Sequence, residues 1–129
     1  MKKLLFLLLA VPAAAGCKAP AFVQAGEADG VSVAWRWNHR PGKPSELLLK
    51  IVNTSSAARQ LDVALDLSFQ GFTVEQFTAD TCIAAGRTYN GKLNGIYFIP
   101  HELTAEQAAS PDCRVTLGKF NVQEKASCP

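Results

Sequence analysis

After its first sixteen residues the chain has no apolar run long enough to cross a bilayer, which excludes a transmembrane anchor in the main body. It has no internal repeat, no block of like charge and no long low-complexity tract, so neither a solenoid nor a charged tail is encoded. Histidine is scarce: His39 falls in a proline-rich turn and His101 follows Pro100. A metal reading would have to gather His101, Asp112 and Cys113. It lacks any Cys-x-x-Cys or His-x-x-x-His pair to start a site. No serine sits in a Gly-x-Ser-x-Gly elbow, and Gly86, Gly91 and Gly95 have neither the spacing nor the following helix of a phosphate loop. Asp62 and Asp66 suggest a carboxylate pair, but four residues along a strand separate them by about 13 Å, beyond glycosidase spacing. No catalytic residue, cofactor or metal is therefore expected, and the chain is read as a non-enzyme.

What is present begins at the N-terminus. Lys2 and Lys3 precede an apolar run from Leu4 to Val11, and Ala13-Ala14-Ala15 then offers a small-residue exit. Residues 1–15 are read as a secretory signal peptide. The Met-Lys-Lys start reads as bacterial, so the expected location is secreted, periplasmic or on the cell surface. Ala14-Ala15-Gly16-Cys17 also resembles a lipoprotein box, which would place acyl chains on Cys17 and tether the domain to a membrane. Loss of Lys2 and Lys3 leaves eleven basic residues against eleven acidic ones. A balanced charge gives no support for nucleic acid as a partner. About 113 residues remain after processing, enough for one domain. Residues 16–30, rich in Ala and Gly, are read as a lead-in, and 31–129 as the folded domain.

From Val31 the hydrophobic period is two. Val31, Val33, Trp35 and Trp37 alternate with Ser32, Ala34, Arg36 and Asn38, the pattern of a strand with one buried face. Residues 39–44 form a turn, Glu46 to Val52 a more continuously apolar strand, and Asn53-Thr54-Ser55-Ser56 a polar turn. Next, Leu61, Val63, Leu65, Leu67 and Phe69 point one way, while Asp62 and Asp66 point to the wet side. Further strands are expected over Phe72 to Cys82, Leu93 to Ile99 and Arg114 to Gln123. Asn90-Gly91 reads as a hairpin turn. A bulge at Gly118 would reconcile Val115 and Leu117 with the opposite parity of Phe120 and Val122. One short helix is expected over Leu103 to Ala109, with Thr104 and Gln107 at capping-box spacing. The fold class is all-β, a two-sheet antiparallel sandwich of six to seven strands with one short helix.

Leu47-Leu48-Leu49-Lys50-Ile51-Val52-Asn53-Thr54, followed by the alternating strand, resembles the second and third strands of immunoglobulin-like modules in bacterial secreted proteins. The resemblance runs from Val31 to Val122 and implies a fold without an activity. It departs from antibody domains in lacking their Cys–Trp–Cys arrangement.

In an oxidising compartment the four cysteines are expected to be structural. The pairing read from their positions is Cys82–Cys113, closing the helix-bearing excursion, and Cys17–Cys128, joining the two ends. Function is expected to be binding, or accessory service in the cell envelope, with a protein or glycan partner. The residues offered for a binding surface are His39, Arg40 and Lys43 in one turn, Arg87, Tyr89 and Lys92 in another, and Tyr97 nearby. Trp35 and Trp37 share parity with Val31 and Val33 and are assigned to the core. Surface lipoprotein, with membrane contact through Cys17, and small hydrolase or metal protein are the alternatives.

Overall fold

The computed structural model describes residues 21–129; the expected signal peptide and the acylation position Cys17 lie outside them. Eight strands make two antiparallel sheets. Strands β1 (Val23–Ala28), β2 (Val31–Asn38), β3 (Glu46–Asn53) and β6 (Thr88–Asn90) form one sheet in that spatial order, and β7 (Tyr97–Phe98) also pairs with β3. The other sheet is β5 (Phe72–Ile83), β4 (Ala58–Phe69) and β8 (Cys113–Lys125), with β4 central. Helix α1 (Ala105–Ala109) precedes β8. The all-β antiparallel sandwich expected from the sequence is the architecture observed. Among the described residues, no helix is long and apolar enough to cross a membrane.

The period-two alternation fixes which side chains enter the core. Val31, Val33, Leu47, Leu49, Ile51, Leu61, Leu65 and Leu67 are fully buried between the sheets. Each removes an aliphatic side chain from water, worth about 1.5–3 kcal/mol. Trp35 and Trp37 pack against this cluster, where their parity placed them. Gly118 is skipped in the pairing of β8 with β4: Leu117 faces Leu65 and Lys119 faces Ala64. This is the expected bulge. A side chain at Gly118 would press on the Asp66 carboxylate, with its Cβ 2.6 Å from Oδ2. Thr104 and Gln107 form the expected reciprocal cap on α1.

Three features differ from the sequence reading. The 16–30 stretch contains a regular strand, β1, whose alanines and glycine carry too little hydrophobic signal to betray it. At Gly26 a Cβ would come within 2.8 Å of Leu117 Cδ2, so the small residue is what lets β1 lie against β8. Asn90-Gly91 is not a hairpin, because β6 and β7 both pair with β3 and the chain keeps its direction. In place of a strand from Leu93, a 3-10 turn over Lys92–Asn94 leaves the sheet edge and returns at Ile96. The Asn94 side chain accepts from the Asn90 backbone N–H at 2.8 Å, and Gly91 N–H donates to the Leu49 carbonyl at 2.7 Å, pinning both ends of the excursion.

The cysteine pairing is the third correction. Cys82 bonds to Cys128, with Cα atoms 5.6 Å apart, and Cys113 has no disulfide partner among the described residues. Both β5 and β8 run antiparallel to β4, so they run parallel to each other. The end of β5 therefore meets the end of β8, where Cys82 and Cys128 lie. Cys82 faces Gln60 and Cys113 faces Phe69, nine residues along β4 and about 30 Å away. That distance forbids the expected Cys82–Cys113 bond. The expected Cys17–Cys128 bond is displaced as well, because Cys128 is taken.

Candidate binding face

Outward-facing positions on β3 are Glu46, Leu48, Lys50 and Val52, the parity opposite to Leu47, Leu49 and Ile51. Glu46 is nonetheless completely buried. Two cations cover it from separate parts of the chain. Arg40, in the turn after β2, places Nη2 2.8 Å from Oε1, and Lys92, on the 3-10 turn, places Nζ 2.8 Å from Oε2. Neither carboxylate oxygen meets hydrogen-bond angles with these groups, so charge more than directed bonding holds the contact. Two positive charges over one negative charge leave a net positive knob at this end of the sandwich. The cations are about a third and half exposed, so they remain open to a partner.

The turn itself is well supported. His39 stacks on Trp37 with ring centroids 5.7 Å apart, and its Nδ1 lies 2.7 Å from the Ser45 hydroxyl. Lys43 N–H closes the turn on the Arg40 carbonyl. Beside it, a cleft of about 520 Å³ runs between Arg40, Lys43 and Pro44 on one wall and Pro100 and Leu103 on the other. On the far side of Glu46, Lys92 Nζ sits 5.7 Å from the Tyr97 ring centroid. The structure thus brings His39, Arg40, Lys43, Lys92 and Tyr97 to one end of the molecule. Arg87 and Tyr89 are not part of this group. The Arg87 carbonyl accepts from Asn53 N–H at the opposite end of β3, and the Tyr89 hydroxyl donates to the Cys82 carbonyl at 3.2 Å. They belong to the end that carries the disulfide.

Glu46, the carboxylate that joins the two basic segments, was not legible as a site residue. Its only sequence signal is an acidic residue opening an otherwise apolar strand directly after a basic turn. Phe22, Arg36 and Lys50 also escaped notice. Phe22 lies over the outer face of the first sheet, with the Arg36 guanidinium 4.9 Å and Lys50 Nζ 5.7 Å from its ring centroid. Among the described residues, neither Arg36 nor Lys50 has an acidic partner within ion-pair distance. The Arg36 Nε is buried without a hydrogen-bond partner.

The outer face of the second sheet is different in sign. Asp62, Asp66 and Asp80 lie there, with Lys119 paired to Asp62, Gln76 to Asp66 and Gln60 to Asp80. Every one of these carboxylates is answered by a neighbour, as the solvated side of a sheet requires. His101 is exposed, and its backbone N–H donates to Glu75 Oε1 at 2.8 Å. Among the described residues, no three of His, Cys, Asp and Glu gather closely enough to hold a metal ion. Burial pushes the half-buried Cys113 thiol up from its ordinary value, which keeps it protonated and weakly nucleophilic. Asn53, first residue of an Asn-Thr-Ser triplet, spends its side-chain amide on the Ala57 and Ile83 carbonyls and is fully buried, so it is no attachment point for a glycan in the folded protein. Comparison of the chain with protein-family models, curated proteins and solved structures returns no match.

Proposed function

We propose that the protein is a non-catalytic binding module that works outside the bacterial cytoplasm and engages an anionic partner through the end of the sandwich built on Glu46. One observation carries this reading. Two basic segments some fifty residues apart in sequence converge on one buried carboxylate that neutralises only one of their two charges. A lone surface lysine is ordinarily a matter of solubility, but a cation fixed on a buried counter-charge is positioned at a cost the fold has met. Tyr97 and His39 add flat aromatic surface beside the charge, the combination that concentrates binding energy at interfaces.

The test is a binding panel of polyanionic and neutral polymers at low and moderate salt. Arg40→Glu with Lys92→Glu should weaken polyanion binding by roughly tenfold or more and flatten its salt dependence. Unchanged binding to every polyanion, with the fold intact by circular dichroism, would remove this end of the molecule as the site.

A second reading, a surface lipoprotein acylated at Cys17, gains support from Cys113. Once Cys82 and Cys128 are joined, acylation of Cys17 leaves Cys113 as the single thiol, and its half-buried, protonated state lets a thiol persist without reacting. Intact mass of the mature protein separates acylation from a second bridge.

A further inference from the structure

We infer that the outer face of the first sheet docks on an anionic lipid bilayer, a deepening that rests on the anionic-partner reading above. Charge and apolar surface coincide there as they do at interfacial membrane sites. On the 3-10 turn, Leu93 stands 87% exposed, the most exposed large apolar side chain among the described residues, directly beside Lys92. A shallow groove of about 400 Å³ runs inward from it, lined by Phe22, Arg36, Leu48 and Lys92. Phe22 separates this groove from a second one of about 260 Å³ that Lys50 lines. The first groove presents Arg36 and Lys92 beside an apolar floor of Phe22 and Leu48, the shape that receives a phosphate headgroup while an acyl boundary takes the leucine. The second adds Lys50 among the polar side chains of Gln24 and Ser32.

The sign of the molecule supports the orientation. Arg36, Arg40, Lys50 and Lys92 stand on this side against Glu46, which Arg40 and Lys92 cover, and Glu27 at the far end. The opposite sheet turns Asp62, Asp66 and Asp80 away from it. Near an anionic leaflet such an arrangement turns one face towards the surface, and each basic residue brought close strengthens binding by roughly fivefold. A soluble polyanion would satisfy the cations but leave Leu93 in water. An anionic bilayer uses both. The chain also places this face near any lipid anchor: Cys17 precedes Phe22 by five residues, a reach of at most about 18 Å.

The test uses the full mature chain carrying Cys17→Ser, so that no acyl group contributes. Co-sedimentation is measured with vesicles of phosphatidylcholine alone and of phosphatidylcholine mixed with phosphatidylglycerol, and binding to dextran sulfate is measured in parallel. Binding to the mixed vesicles only, falling with salt, is expected. Leu93→Ser should weaken vesicle binding by roughly tenfold, the weight of one leucine leaving water, and leave dextran sulfate binding unchanged. Lys50→Glu should weaken both. Dextran sulfate binding without vesicle binding, or vesicle binding indifferent to Leu93→Ser, overturns the bilayer inference and leaves the anionic-partner reading standing. Failure to bind either overturns both.

Discussion

Replacing Cys82 and Cys128 together by alanine tests the covalent frame of the fold. The bond closes a loop with a sequence separation of 46, which contains β6, β7, α1 and all of β8. On the loop-entropy model, freeing a loop of that length costs about 4 kcal/mol of stability. For a domain of this size each kcal/mol is worth about 4–5 °C, so the double variant should melt roughly 16–20 °C below the parent. Thermal unfolding followed by circular dichroism measures this directly, and reducing agent should lower the parent to near the variant. Cys113→Ala, made in a Cys17→Ser background and compared with that background, is the control, since it then removes only a half-buried thiol at the far end of β8. A double variant that melts within about 3 °C of the parent, or a Cys113→Ala loss as large as the double variant's, refutes the pairing and the strand directions that produce it.

Asn53→Asp should cost about 3 kcal/mol in urea unfolding at neutral pH, because it turns acceptor oxygens towards the Ala57 and Ile83 carbonyls in a fully buried site. Gly30→Ala should cost about 1–2 kcal/mol, and more than Gly71→Ala. Both glycines have positive φ, +79° and +85°, but at Gly30 the new Cβ would also meet Ser55 Cβ at 2.9 Å, while at Gly71 the space is open. At neutral pH, iodoacetamide should label Cys113 more slowly in the folded protein than in urea, as read by mass spectrometry. Because the folded thiol holds its proton more tightly than the unfolded one, its share of stability is present below the ordinary thiol range and is lost as pH rises through it. A single labelled thiol in urea without reductant means Cys17 is modified or removed; none means it is bonded to Cys113.

Much of the architecture is visible in the sequence because it rests on local rules. The alternation of Leu61, Val63, Leu65 and Leu67 with Asp62 and Asp66 can be satisfied only by a half-buried strand. The parity break around Gly118 announces a bulge, and Thr104 with Gln107 announces a cap. What escaped depends on distance in space. β1 has no hydrophobic rhythm of its own and is a strand because β2 and β8 leave room for one. Asn90-Gly91 has hairpin chemistry, but β3 recaptures the chain six residues later and overrides it. The disulfide follows from the relative direction of β5 and β8, which no spacing of cysteines reveals. The candidate face is half legible for the same reason. Its basic turn stands out, while Glu46, the residue that draws Lys92 to Arg40, looks like the start of an ordinary strand.

The Cys82–Cys128 bond also changes how the molecule carries a pull on its two termini. Tension entering at the tail passes across the sulfurs to the end of β5, so β8 and everything since β5 bears none of it. Stretched to full contour, the oxidised chain stays about 160 Å shorter than the reduced one, the length of the bypassed loop. The strands left to resist are β1 to β5. A protein held at its N-terminus to a surface and loaded at its other end would release only the chain before the bond, with its last strand still inside the closed loop.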